Sequence, residues 1–250
     1  MSNLYYLGGL GGNAYHVKDL ENFLGEPMTV IDLPGHGCHY EDRVTSPEEL
    51  LDWFKDKVPA KDSFVLIAHS MGANLAPFLA KHCPNIEKLV LLDGGYYQFD
   101  SFCSLDEDLK ETKTFLAETV TTDLENLVKE EKASACYWSS NLETALRESF
   151  VWRQGTYQLN VNQDSVLALI SLQRQLEGYL ALVGCPTLLI AQSDQELLPL
   201  KAEMLEQVPK SIFVDKTLDC GHSPHEEKPQ ETAALISCFL DREKVLRAEG

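Results

Sequence analysis

The sequence predicts an α/β fold: a mostly parallel six-stranded sheet flanked by helices, with a helical insertion between the fourth and fifth strands. Three observations lead there. Short apolar runs alternate with segments of helical apolar spacing, an order that implies parallel strands joined by right-handed crossovers. The alternation stops between Asp93 and Thr187, for roughly ninety residues, too long for a structureless loop and therefore a helical layer of its own. A chain of 250 residues with 44% hydrophobic content can bury one large core, and no internal repeat is evident.

In chain order, strands are expected near Leu4–Leu7, Thr29–Asp32, Phe64–Ala68, Leu89–Asp93, Thr187–Gln192 and Ile212–Leu218. A glycine loop, Gly8 to Gly12, follows the first strand, and a helix is expected over Asn13–Leu24. Ser46-Pro47-Glu48-Glu49 opens another helix, with Ser46 as cap, Pro47 at the first position and Glu49 closing a capping box. The insertion carries helical spacing over Leu105–Val120, Thr122–Cys136, Leu142–Arg153 and Asp164–Leu182. The chain thus divides into a core, residues 1–95 and 184–250, and a helical cap, residues 96–183.

The stretch Phe64 to Gly72 points to chemistry, because an apolar strand breaks abruptly at Ser70 between small residues. The pattern G-x-S-x-G presents a serine on a sharp strand-to-helix turn with its hydroxyl projecting from the sheet edge. Gly72 meets the size demand fully, while Ala68 replaces the first glycine by one methyl group. A serine that merely caps the following helix is the plainer reading. A base belongs far downstream, after the last strand. His222, in Asp219-Cys220-Gly221-His222-Ser223-Pro224, sits there behind a glycine expected to need unusual dihedrals, with His225 as competitor. An acid at a strand end on the same edge would orient the imidazole. Asp194, after the fifth strand, is preferred on the order serine, acid, histidine; Asp93, before Gly94 and Gly95, is the alternative.

Leu7-Gly8-Gly9-Leu10-Gly11-Gly12, Asp32-Leu33-Pro34-Gly35-His36-Gly37, Ala68-His69-Ser70-Met71-Gly72, and Gly221-His222 with Glu226 and Pro229 trailing together resemble the α/β-hydrolase fold serine hydrolases over nearly the whole chain. The resemblance implies strand order 2-1-3-4-5-6, with the active site where the order reverses. It also implies an oxyanion hole from the backbone N–H groups of Leu10 and Met71. Relatives carry His-Gly in the first loop. Here Gly8 stands at the histidine position, and the donors remain available because they are main-chain groups.

The implied activity is hydrolysis of an ester-like bond in a small, largely apolar substrate through an acyl-enzyme, without cofactor or metal. Thioesterases, lactonases, C–C hydrolases and a menaquinone-pathway lyase use the same residues, and a ligand-binding receptor on this scaffold is the non-enzymatic alternative. Aromatics of the insertion, Tyr96, Tyr97, Trp138 and Trp152 among them, are pocket candidates, although packing the cap is the commoner duty of such residues. Arg147, Arg153 and Arg174 are candidates for holding a substrate carboxylate, with surface ion pairing as the plainer use.

Gly9-Leu10-Gly11-Gly12-Asn13-Ala14 also fits a dinucleotide fingerprint, with Asp32 about twenty residues on. That reading leaves Ser70 and His222 without a role. A net charge of −18 argues against nucleic acid and disfavours strongly anionic substrates such as coenzyme A esters. Seven cysteines without paired spacing suit reduced thiols in a cytoplasm. The first residues carry no basic segment and no long apolar run, so neither a secretory leader nor a membrane span is expected.

Overall fold

The computed structural model describes residues 3–194 and 198–248. The elements run β1 (Asn3–Leu7), α1 (Lys18–Leu24), β2 (Met28–Ile31), α2 (Pro47–Lys55), β3 (Phe64–His69), α3 (Ser70–His82) and β4 (Ile86–Leu92). An inserted segment follows, with α4 (Leu105–Glu118), β5 (Val120–Thr121), α5 (Leu124–Ser134), α6 (Ser140–Glu148), β6 (Phe150–Arg153), β7 (Thr156–Leu159) and α7 (Gln163–Gln175). The chain closes with β8 (Thr187–Gln192), α8 (Leu198–Met204), β9 (Phe213–Leu218), α9 (Pro224–Glu227) and α10 (Pro229–Ala248).

Six strands pair in parallel in the order β2-β1-β3-β4-β8-β9, the expected fold and strand order. Strand β1 lies between the two strands that follow it, so connections leave it in opposite directions and a crevice opens at its carboxyl end. Leu7 stands opposite both Ile31 and Ala68, and Ala68 opposite Leu91. This register brings the ends of β1, β3 and β4 to one level, so the loops at Gly8, Ser70 and Asp93 emerge together.

Alternation within β3 sends its side chains to both faces. Leu66 and Ala68 join a core with Leu79 of α3, Leu50 of α2 and Leu169 of α7. Val65 and Ile67 join the opposite layer with Leu20 of α1 and Ile236 of α10. A strand buried on both faces must be largely apolar, as β3 is from Phe64 to Ala68. The Ser46 hydroxyl accepts the Glu49 N–H, as a cap does, and the Glu49 carboxylate reaches back to the N–H of Thr45.

Two local expectations are corrected. The first helix begins at Lys18 rather than Asn13, because the Asn13 side chain accepts the Tyr15 N–H and donates to the carbonyl of Ala145 and the hydroxyl of Ser149. Such bonds compete with helical ones. The insertion is also not all helical. Strands β5, β7 and β6 form an antiparallel sheet, and the helix expected through Arg153 ends at Glu148. Gln154 and Gly155, both at positive φ, make the two-residue turn that a tight hairpin needs, flanked by Phe-Val-Trp and Thr-Tyr. Among the described residues no helix is long and apolar enough to cross a membrane.

Candidate active site

Ser70 joins β3 to α3 with φ at 52°, a backbone region that costs energy for any residue but glycine and holds the hydroxyl clear of the sheet. The turn works only if the chain can pass close to β1. A Cβ at position 72 would stand 2.4 Å from the Gly8 carbonyl oxygen, whereas the methyl of Ala68 is accommodated in full burial. Gly72→Ala is therefore expected to cost about 1–3 kcal/mol as backbone is forced apart, read as a lower Tm. A wild-type melting curve would contradict that packing. A Cβ on Gly9 would stand 2.9 Å from the Ser70 Cβ, so the glycine loop that carries Leu10 runs beside the hydroxyl, with the N–H of Met71 next in chain to Ser70.

His222 reaches Ser70 from the loop between β9 and α9. Its Nε2 lies 2.7 Å from the Ser70 Oγ, and its Nδ1 lies 2.6 Å from Oδ2 of Asp93. An ionised carboxylate can only accept, so it draws the proton to Nδ1 and leaves the Nε2 lone pair facing the serine hydroxyl. The residues on either side of His222 are clamped through their N–H groups: Glu227 accepts the N–H of Gly221 at 2.7 Å and of Ser223 at 3.3 Å. The expectation of unusual dihedrals at Gly221 is not met; a Cβ there would stand 2.7 Å from the Glu227 carboxylate and push that flexible side chain aside. Gly221 is absent from the residues with positive φ.

The preference for Asp194 is corrected. Asp93 is the carboxylate on the imidazole and is fully buried, while Asp194 is exposed beyond the end of β8. Strand β4 is the immediate neighbour of β3, so Asp93 leaves the sheet one strand from Ser70. Its φ of 46° turns it sharply into Gly94-Gly95, a conformation aspartate tolerates better than most residues.

Beneath the site lies a polar cluster that sequence reading did not anticipate. His69 donates from Nε2 to the His222 carbonyl at 2.9 Å, and burial, aided by His225 and His222, pushes it well below the usual imidazole range, so it is neutral. Its ring lies 4.4 Å from that of His225. His225, the competitor for the base role, is fully buried against the Tyr6 hydroxyl at 3.0 Å and Glu226 at 3.3 Å.

Glu226 in turn meets His16 at 3.0 Å, and His16 meets Ser149 of the insertion at 3.1 Å. Burial raises the Glu226 carboxyl, but the bonds from His16 and His225 outweigh it and hold the group well below the carboxylate range. A depressed carboxylate stabilises the fold above its unfolded value and loses that contribution as pH falls through the folded value. Glu226→Gln is accordingly expected to lower Tm at neutral pH. The gap to wild type should close in strong acid; a constant gap across pH would contradict the linkage.

The remaining candidates divide. Tyr96 is buried and stacks on Tyr97 at 4.4 Å, with its hydroxyl 3.5 Å from Oδ1 of Asp93. Trp138 lines a cavity of about 390 Å³ with His16, Leu142, Leu146 and Ser223, the chain neighbour of His222; Ser70 and His222 themselves are not among the residues that line it. Trp152 is 55% exposed and packs edge-on against Tyr157, which gives most of its surface to solvent rather than to an enclosed wall. Arg147 pairs with Glu125 and Glu143, and Arg174 with Asp100 and Asp108, the plainer of their two readings. Arg153 stacks on Tyr40 at 4.7 Å and donates to its hydroxyl.

All seven cysteines are unpaired. Cys220, near the site, is a poor nucleophile, its thiol pushed up to about 12 by burial and Glu227. Among the described residues no three His, Cys, Asp or Glu side chains are grouped so as to hold a metal ion. The dinucleotide reading lacks its geometry. No helix starts at the glycine loop, and the Asp32 carboxylate accepts the Cys38 N–H within its own loop.

Comparison with known proteins supports the same architecture. Curated proteins return no match in sequence. Among solved structures, an esterase of Mycobacterium tuberculosis is similar at TM-score 0.69 and 18% identity, over 96% of this chain and 85% of that one. A thioesterase domain from the curacin biosynthetic pathway is similar at 0.66 and 20%, over 94% and 91%. MenH from S. aureus is similar at 0.66 and 21%, over 97% and 94%. At these identities the likeness is one of fold. A model of the alpha/beta hydrolase family matches residues 7–235, from the end of β1 into α10 and across every loop that converges on Ser70. By that match and by its sheet order, the chain belongs to the alpha/beta hydrolase family.

Proposed function

We propose that the chain is a serine hydrolase that cleaves an ester-like bond through an acyl-enzyme, with residues 96–183 acting as a cap over the site. One observation carries the reading: the line from Asp93 through His222 to Ser70, closed at 2.6 and 2.7 Å. His222 takes the Ser70 proton as the oxygen attacks the carbonyl carbon, and Asp93 stabilises the imidazolium that forms. The N–H groups of Leu10 and Met71 bind the oxyanion, and the imidazolium then protonates the leaving group. Water repeats the sequence on the acyl-enzyme and regenerates Ser70. Tyr96, Tyr97 and Trp138 supply apolar surface for the substrate.

A fluorophosphonate probe tests this directly: it should label Ser70 and no other residue. Turnover of short p-nitrophenyl esters separates an enzyme from a receptor on the same scaffold, which would show at most one slow turnover. Esters compared with thioesters of equal acyl length then separate the carboxylesterase reading from the thioesterase one. Because only a neutral imidazole can take the serine proton, the rate is expected to fall as pH drops from about 8 to 5. A flat profile would contradict the role of His222.

A further inference from the structure

Asp93 is held from a second strand. Leu92 and Ile190 stand opposite each other where β4 pairs with β8, and this register brings Gln192, the last residue of β8, against the Asp93 carboxylate. The main-chain N–H of Gln192 donates to Oδ1 at 3.2 Å. Its side-chain Nε2 donates to Oδ2 at 3.0 Å, the same oxygen that receives the His222 Nδ1–H. A carboxylate oxygen shared between two donors offers each of them less charge than it would offer one alone.

Resting on the serine-hydrolase reading above, we propose that Gln192 is a positioning residue of the reaction: its amide limits how much Asp93 charge reaches His222, and so sets the pH at which the imidazole is free to accept the Ser70 proton. Too strong a hold on the imidazolium would leave His222 protonated near neutrality and unable to act as base. Gln192 lies one residue from the loop that carries Asp194, the position first expected for the acid, so the end of β8 still serves the imidazole, through a neutral group.

Other ionisable groups surround the pair. They are His69 from β3, neutral by burial; Tyr96 and Tyr97 after β4, with Tyr97 raised to about 12 by burial and Asp93; Asp194 after β8; and Cys220, His225, Glu226 and Glu227 from the His222 loop and α9. Substitution at position 192 removes none of these ionisable side chains, and besides the Asp93 bond it breaks the bond from the Gln192 side chain to the Tyr97 hydroxyl.

Gln192→Met keeps the length and removes the donor, and Gln192→Ser removes the reach while staying polar; the main-chain bond to Oδ1 survives in both. The full chain is titrated in two ways, by the pH profile of kcat/KM on a p-nitrophenyl ester and by NMR of the His222 ring, assigned by its loss in His222→Gln. Removing the amide strengthens the hold of Asp93 on the imidazolium, so both the acid limb and the ring titration are expected to move to higher pH, by on the order of half a unit to one unit. The rate at pH 6 then falls several-fold while the rate at pH 8 changes little.

An unmoved titration in whichever variant melts as a folded protein overturns the proposal, since a merely structural glutamine would lower the rate evenly across pH. The NMR titration needs no turnover. Failure of the hydrolase reading shows separately, as activity that is absent or that survives Ser70→Ala.

Discussion

Ser70→Ala is expected to lower kcat on p-nitrophenyl esters by about 10⁶-fold while leaving the melting temperature close to that of wild type. The size follows from the chemistry. Without the hydroxyl there is no covalent intermediate, and what is left is the oxyanion hole and substrate binding, which in comparable sites still give about 10³-fold over water. The fold should not suffer, because the Ser70 hydroxyl contributes one bond, to a half-exposed His222, and its positive φ is no worse for alanine. The paired measurement is single-turnover kinetics and a thermal melt on the same preparation. A residual rate within about tenfold of wild type would remove Ser70 from the mechanism, since one decade is only about 1.4 kcal/mol of transition-state stabilisation.

Asp93→Asn should cost about 10⁴-fold, and Asp194→Asn should cost almost nothing. In the first variant the amide can present its N–H to Nδ1, which places the imidazole proton on Nε2 and turns the base away from Ser70. Because Asp93 is fully buried and bonded to His222 and Gln192, the change is felt at the reacting atoms. Asp194 is exposed and is not the carboxylate on the imidazole, so its substitution leaves the line from Asp93 through His222 to Ser70 intact. The two variants are compared in kcat/KM at pH 8, where loss of base strength is least masked by protonation. Equal losses, or a larger loss for Asp194→Asn, would return the acid role to the end of β8.

Much of this site is legible along the chain because its first half is local. An all-apolar run, a serine and a glycine two residues on describe a strand, a turn and a close approach, and each constraint acts within a few residues of Ser70. The strand positions are legible for the same reason: burial on both sheet faces forces continuous apolar sequence, as in Phe64 to Ala68 and Leu188 to Ala191. The small sheet of the insertion was missed because Phe150 to Arg153 also satisfies helical spacing. The Gln154-Gly155 pair between aromatic and β-branched residues was the available signal.

What the sequence determined by itself is the strand-turn-helix that presents Ser70 and the loop that carries His222; the order of strands that puts both on one edge followed only from the resemblance its motifs carry. Which aspartate meets the imidazole was decided only in three dimensions. Asp93 and Asp194 both follow apolar strands, and the order serine, acid, histidine on which Asp194 is preferred is met by Asp93 as well, so nothing local separates them. The contact from Asp93 to His222 spans 129 residues. It depends on β4 lying directly beside β3, on the turn of the chain at Asp93, and on Gln192 meeting the same oxygen from β8. Hydrogen bonds a few ångströms long between distant segments are set by the packing of the whole sheet, and that packing is written in no single stretch of residues.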